Sequence, residues 1–245
     1  MDACRFLDWD SKFFRVRVAR VNSQVLTSSL VDEIFAWCNA QQITCLYFLA
    51  AVNDDQTVKL AEVNDFHLVD LRITLNCKLA GGEPKKMERP EGGTVRLVRT
   101  DDLPILRQVA RSSYSDSRFF YDENFDRKLC ADLYDIWLQK SCADPAQAVW
   151  VGEVDHQPAG YITCQIQSDM EKPTGVIGLL GIGETYRSHG VGHVLVDAAL
   201  DWFSQRGASQ ALVVTQGRNL PAQRLYQRCG FQTSSVQLWY HKWFV

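Results

Sequence analysis

The chain has 245 residues, and 26 lysines and arginines against 29 aspartates and glutamates give a net charge of −3. That balance excludes a general nucleic-acid binder, which needs a basic surplus to displace counterions. A content of 46% hydrophobic and 22% charged residues excludes a disordered chain.

Apolar runs such as Cys45–Val52 fall far short of the roughly 20 residues that span a bilayer. The opening MDACRFLDWD carries acidic residues where a signal peptide is basic. These features predict a cytoplasmic protein with no nucleic-acid partner and no membrane insertion, and they leave a homodimer open. Eight cysteines occur singly, at 4, 38, 45, 77, 130, 142, 164 and 229, with no CxxC pair. A chain of this length buries its own core without staples, so they read as reduced, structural thiols.

In chain order, the pattern predicts a helix over Ser28–Gln41, a strand over Thr44–Ala51, a helix over Gln56–Asn64 and a strand over His67–Leu79. Ala80–Gly93 then brings four glycines, two prolines and a run of charges, which is linker chemistry. Three regions are expected: a smaller N-terminal domain (1–80), a linker (81–93) and a larger C-terminal domain (94–245).

Beyond the linker, Thr94–Arg99 alternates as a half-buried strand, and Asp101-Asp102 opens a helix through Leu103, Leu106, Val109 and Ala110. An aromatic-rich loop and a helix near Arg127–Lys140 follow. Ala148–Val154 and Ala159–Gln167 read as strands joined by a turn at Asp155–Pro158. Val176–Ile182 is a continuous apolar run, read as a strand buried on both faces.

From Gly190 a helix carries Val191, Val194, Leu195, Ala198, Ala199, Trp202 and Phe203 on one stripe, and Gly207 suits its C-terminal cap. A strand at Ala211–Thr215, a short helix capped by Asn219 and ended by Gly230, and a last strand at Phe231–Phe244 complete the chain. The alternation predicts an α/β fold with a mixed sheet. Leu60–Phe66 also echoes Leu225–Phe231, each closing a short helix with a turn and a phenylalanine, which suggests a degenerate structural repeat.

The most informative segment runs from Leu180-Gly181-Ile182 to Arg187-Ser188-His189-Gly190-Val191-Gly192, where a strand ends and RxxGxG opens the amphipathic helix. Glycines at that spacing let ligand oxygens approach backbone N–H groups, and the helix N-terminus favours an anion such as a pyrophosphate. A tight strand–helix turn with glycines for packing is the plainer alternative. Gly181-Ile182-Gly183 lacks the third glycine of the dinucleotide fingerprint, and no Walker loop or GxSxG elbow occurs. His189 and His193 enclose no glutamate, so a metalloprotease helix fails, and no metal site is expected.

RxxGxG on one helix, with Asn219-x-x-Ala222-x-x-Leu225-Tyr226-x-x-x-Gly230-Phe231 on the next, resembles the acetyl-CoA-binding motifs of the GNAT superfamily of N-acyltransferases. The resemblance covers Thr94–Val245 and implies the GNAT acyltransferase fold with acetyl-CoA as acetyl donor. It also implies pantetheine pairing along Leu180, Gly181 and Ile182, with the cofactor pyrophosphate on Arg187–Gly192. Asn219 and Tyr226 would then flank the thioester end, with Tyr226 as the general acid that protonates the departing thiolate.

A narrower resemblance rests on Leu7–Phe14, Ser117-Arg118-Phe119, Tyr134, Trp137 and Thr215-Gln216. These look like the bacterial enzymes that acetylate a TDP-linked 4-amino-4,6-dideoxygalactose for a cell-surface glycan. Such enzymes carry an incomplete GNAT-like N-terminal domain, and the N-terminal part here has no RxxGxG before its helix.

The resemblance implies a sugar-nucleotide acceptor, and the loop Ser117–Phe125 offers Arg118 to its pyrophosphate and Phe119 or Tyr121 to stack on a base or sugar face; the plainer reading has these aromatics anchor the loop on the core. The alternatives are acetylation of a free small amine or a protein N-terminus, and an acyl-CoA-binding regulatory module without turnover. No general base is evident; Glu153, Asp169 and Glu171 are the carboxylates nearby in sequence.

Overall fold

The computed structural model describes residues 2–79, 93–168 and 172–244. Its elements are β1 (Cys4–Phe6), α1 (Asp8–Phe14), β2 (Val18–Val21), α2 (Ser28–Ala40), β3 (Cys45–Ala51), α3 (Asp55–Val63) and β4 (His67–Lys78). After the linker come β5 (Gly93–Leu97), α4 (Leu103–Ser112), α5 (Arg118–Tyr121), α6 (Arg127–Ala143), β6 (Gln147–Val154), β7 (Gln157–Gln167) and β8 (Thr174–Ile182). The last four are α7 (Val191–Gln205), β9 (Gln210–Gln216), α8 (Leu220–Arg228) and β10 (Gln232–Trp243). The expected linker lies outside the described residues apart from Gly93, which opens β5.

The strands form one mixed sheet in the order β1-β2-β3-β10-β4-β9-β8-β7-β6-β5. β2 runs parallel to β3, and β8 parallel to β9, with α2 and α7 as the crossover helices. The other neighbouring pairs are antiparallel. The order is pseudo-symmetric about the β10–β4 pair: β1-β2-β3 on one side matches β7-β8-β9 on the other. β4 and β10 have exchanged places, since β10 pairs with β3 and β4 pairs with β9. Two stretches far apart in the chain therefore complete each other's sheet.

The local closures match as well. Phe66 N–H donates to Ala61 C=O and Phe231 N–H to Tyr226 C=O, both at 3.0 Å. Asp65 and Gly230 hold the intervening left-handed turn, at φ 57° and 88°. Ala61 thus occupies the place that Tyr226 takes in the C-terminal half.

Three apolar clusters fill the two faces. Alternation along β3 sends Cys45 and Tyr47 under α1, α4 and α6, and Leu46, Phe48 and Ala50 under α2 and α3. That double coverage explains why Cys45–Ala51 is an unbroken apolar run. The third cluster joins α7 and α8 to the sheet through Leu195, Phe203, Val213 and Phe231.

Four short elements, β1, α1, β2 and α5, have no counterpart in the periodicity reading because three to seven residues are too few to show a period. Tertiary contacts hold them instead: Ser11 Oγ in α1, for instance, accepts the Val18 N–H at 2.9 Å. All eight cysteines are free thiols. No helix among the described residues is long and apolar enough to cross a membrane.

Candidate active site

The strand read as buried on both faces is instead splayed. β8 pairs with β9 only from Thr174↔Gln210 to Ile177↔Val213, although β8 runs on to Ile182 and β9 to Gln216. On its other edge a bulge sets Gly178 and Leu179 against the single residue Thr163, whose Oγ1 accepts the Leu179 N–H at 2.8 Å. Gly178 is exposed and Leu180 half-buried as a result.

Gly183 N–H is spent on Ala159 C=O at 2.8 Å, so the alternation of an antiparallel ladder turns the N–H and C=O of Leu180 and Ile182 to the opposite edge. There β9 has already diverged, which leaves that edge open for an extended ligand. Gly181 is buried, and a Cβ there would stand 2.8 Å from the Tyr161 ring, so close packing requires glycine.

At the end of β8 the chain crosses to α7 through an exposed loop, Arg187–Gly190. Ser188 and Gly190 take positive φ, 66° and 78°, on either side of His189, whose Nδ1 lies 2.8 Å from Arg187 C=O. No side chain caps α7, and the N–H groups of Val191 and Gly192 find no backbone acceptor among the described residues. Free N–H groups at a helix start, with the helix dipole behind them, fit a pyrophosphate.

The Val191 side chain turns inward onto Gly152. A Cβ at Gly192 would come 3.0 Å from Leu225 of α8. The missing side chain at Gly192 therefore also makes room for helix packing, beside the N–H group it leaves open.

Tyr226, on α8, is 4% exposed and packs against Phe231 with centroids 5.6 Å apart. Burial, reinforced by the Cys229 and Cys164 thiols, pushes its hydroxyl well above the usual tyrosine range. That hydroxyl has no hydrogen-bond partner among the described residues. Asn219 Oδ1 accepts the Ala222 N–H at 3.1 Å, so this side chain caps α8.

The residues expected on the acceptor side separate. Phe119 is 4% exposed and stacks on Phe14, so it belongs to the core beneath α5 rather than to a ligand surface. Tyr121 is 52% exposed and carries the Arg218 guanidinium 3.8 Å above its ring. Arg118 is half-buried and donates from Nη1 to His241 Nε2 at 2.6 Å. His241 Nδ1–H in turn donates to Asp122 Oδ2 at 2.6 Å, and Trp243 Nε1–H donates to the same oxygen at 2.9 Å.

This chain of contacts holds His241 neutral. Burial and then the Arg118 charge push it down to about 4, against the opposing hydrogen bond to Asp122. Burial acts to raise Asp122, but hydrogen bonds from His241 and Trp243 hold it at about 2.

The candidate carboxylates move too. Glu153 is tied to Arg96 and Thr94 near the β5 edge, a structural role. Asp169 and Glu171 lie outside the described residues. Asp70, which sequence reading passed over, enters next to β9 on the exchanged strand β4. It is 4% exposed, and burial pushes it up to about 6, opposed by the Leu71 N–H and by Arg218.

Two other features stand outside these residues. His193 faces Cys229 through Nδ1 at 3.2 Å and Asp197 through Nε2 at 3.5 Å, and one donor atom from each of the three lies within 4.8 Å of the others. Burial also pushes the Cys229 thiol up to about 12. A cavity of about 560 Å³ near the β5–β6 edge, lined by Leu97, Cys142, Trp202 and Arg206 among others, contains no carboxylate or histidine.

Over 146 residues the chain is 27% identical to an uncharacterised N-acetyltransferase of Methanocaldococcus jannaschii, covering 58% of this chain and 62% of that protein. It is 24% identical over 253 residues to the dTDP-fucosamine acetyltransferase of Escherichia coli O6:H1, covering 96% of each chain. A GCN5-related N-acetyltransferase from Sphaerobacter thermophilus shares the fold with a TM-score of 0.67 at 18% identity, over 98% of this chain and 76% of that one. Residues 106–231 match the family described as Acetyltransferase (GNAT), a stretch that includes the splayed strand, the glycine loop and Tyr226. The chain belongs to the GNAT acetyltransferase family.

Proposed function

We propose that this protein acetylates the amine of a nucleotide-linked amino sugar, a TDP-4-amino-4,6-dideoxyhexose, during cytoplasmic synthesis of a cell-surface glycan. The observation that carries the acceptor class is the similarity to the dTDP-fucosamine acetyltransferase over 96% of both chains, the N-terminal half included. The reading divides the chain into an incomplete GNAT-like domain (1–80), a linker (81–93) and a catalytic domain (94–245). The pseudo-symmetric strand order supports that division, and so does Ala61 standing where the other half has Tyr226.

Bound acetyl-CoA supplies the acetyl thioester. The N–H groups from Ser188 to Gly192, with Arg187 beside them, hold its pyrophosphate, and the open edges of Leu180 and Ile182 pair with pantetheine. An N–H on that edge donates to the thioester carbonyl, a preorganised dipole of the kind worth a few kcal/mol. Tyr226 stays protonated at every working pH and gives its proton to the departing sulfur. Burial disfavours a bare thiolate and a bare tyrosinate alike, so the proton lost by the newly acetylated amine returns to Tyr226 as sulfur takes the first. The steps so written use no metal.

A thiol-release assay tests the reading with acetyl-CoA and a panel of amino-sugar nucleotides, free amino sugars and peptides. The highest kcat/KM is expected for a nucleotide-linked 4-amino sugar. Faster acetylation of simple amines or peptides would overturn the acceptor class, and thiol release with none of them would favour a binding module.

A further inference from the structure

Positive charge gathers on the sheet face that α5 covers. Arg5 pairs across the sheet with Arg20, Arg20 with Tyr47, and Tyr47 with His241, which places Arg5 and Arg20 on the same face as His241 and Trp239. On β4, Asp70 stands opposite Trp239 and Arg72 opposite Gln237, so they share that face. Arg118 reaches it from α5, with its guanidinium 4.3 Å from the Trp239 ring centroid, and the Arg20 guanidinium lies 5.0 Å from the same ring.

These arginines are poorly compensated. Among the described residues, none of Arg5, Arg20, Arg72 and Arg118 has a carboxylate within 4.0 Å, whereas Arg96, Arg107, Arg111 and Arg218 each do. Arg72 is held in place by Thr74 and Gln237, at 2.9 and 3.0 Å. Burial, followed by the charges of Arg5, Arg118 and Arg72, pulls Arg20 below the usual arginine range. Asp70 is engaged by the Leu71 N–H and lies 3.7 Å from Arg218; it and Asp10 feel the Arg118 charge, but neither comes within 4.0 Å of it. The Tyr47 hydroxyl, whose ring lies 4.2 Å from the Arg118 guanidinium carbon, is buried without a partner.

The location is as specific as the charge. Arg72 pairs with Gln216 at the end of β9, the strand whose departure from β8 opens the cleft. Ile73 and Leu75, which alternate with Arg72, enter the core beneath α7 and α8. The cluster therefore borders the cleft on the face opposite the glycine loop. Guanidinium forks of like charge, held by stacking and left without anions, suit an oxyanion ligand of at least two charges.

We propose that Arg5, Arg20, Arg72 and Arg118, arranged around Trp239, bind the pyrophosphate of the ligand that enters from this face. Its identification with the acceptor rests on the sugar-nucleotide reading above. The N-terminal half would then supply the anion-binding wall of the acceptor site without holding a cofactor of its own.

Titration calorimetry with inorganic pyrophosphate tests this on protein saturated with coenzyme A, so that the glycine loop is already filled. A one-to-one isotherm is expected, weakened at least tenfold in Arg20→Gln and, separately, in Arg72→Gln. Both variants should bind acetyl-CoA as the parent does. Unliganded Arg20→Gln should melt no lower than the parent, because it removes a crowded charge, whereas a purely structural arginine would lower the melting point. With a sugar-nucleotide acceptor, KM should rise at least tenfold for that substrate and stay unchanged for acetyl-CoA.

Absence of pyrophosphate binding to the coenzyme-loaded parent overturns the site, as does binding that neither variant weakens. If pyrophosphate binds through Arg20 and Arg72 but no sugar nucleotide is acetylated, the site stands and the acceptor reading falls. If sugar nucleotides are acetylated with an unaltered KM in both variants, the reverse holds.

Discussion

Replacing Tyr226 by phenylalanine separates the chemistry of the site from its architecture. The ring is 4% exposed and packed on Phe231, and phenylalanine keeps that packing. The hydroxyl has no hydrogen-bond partner among the described residues, so its removal forfeits no protein hydrogen bond. With the packing kept and no protein hydrogen bond lost, the variant should melt close to the parent. Turnover should behave differently. A lost general acid typically costs about 10²–10⁴-fold, or roughly 2.7–5.4 kcal/mol of barrier at 1.36 kcal/mol per tenfold.

Thiol release at saturating acetyl-CoA and acceptor measures the first effect, and scanning fluorimetry with and without acetyl-CoA measures the second. The cofactor-induced melting shift should survive. Parent-like turnover where chemistry limits the rate would refute the role given to Tyr226. A melting point lowered by several degrees would refute the account of its surroundings.

Gly190→Val forces a β-branched residue to φ near 78° and crowds the N–H groups before α7, so it should abolish the acetyl-CoA melting shift, about 2.7 kcal/mol at 100 times Kd. Gly192→Ala meets Leu225 instead, so it should lower the melting point slightly and keep the shift; fluorimetry of the pair checks both. The Arg118–His241–Asp122 chain makes stability pH-dependent in a defined window. Because the folded state holds His241 neutral down to about 4, the unfolded chain binds the extra proton between about pH 6.5 and 4. Stability should fall as pH drops through that window, by at most about 1.4 kcal/mol per unit from this group, and urea midpoints of the parent against His241→Gln should show the difference. Below about pH 4, protonation of Asp122, which the fold holds at about 2, should add a further loss.

The local signals in the sequence were strong wherever one element was long enough to show its period. The stripe from Val191 to Phe203, the glycine at 207 with φ 74°, and Asn219 as a cap are all read correctly from spacing and residue type alone. So is the echo between Leu60–Phe66 and Leu225–Phe231, which the structure shows as two closures with the same backbone hydrogen bonds. The glycine loop was legible for the same reason, since its requirement for positive φ and free N–H groups is written in the residues themselves.

What the tertiary structure alone decided is what faces what. No periodicity could show that β8 parts from β9 after Ile177, because the apolar run looks the same whether a neighbour is paired or absent. Nor could it show that β4 and β10 exchange places, which carries Asp70 and Arg72 to the end of β9 from about 140 residues away in the chain. Phe119 and Tyr121 are two residues apart and chemically alike, yet one lies in the core and the other at the surface. Their difference comes from the side of α5 that meets Phe14, and Arg118 finds its histidine partner on β10 by the same packing. Hydrogen bonds and stripes are local in the chain and leave a mark in it, whereas strand order and the meeting of distant charges arise only when the halves close on each other.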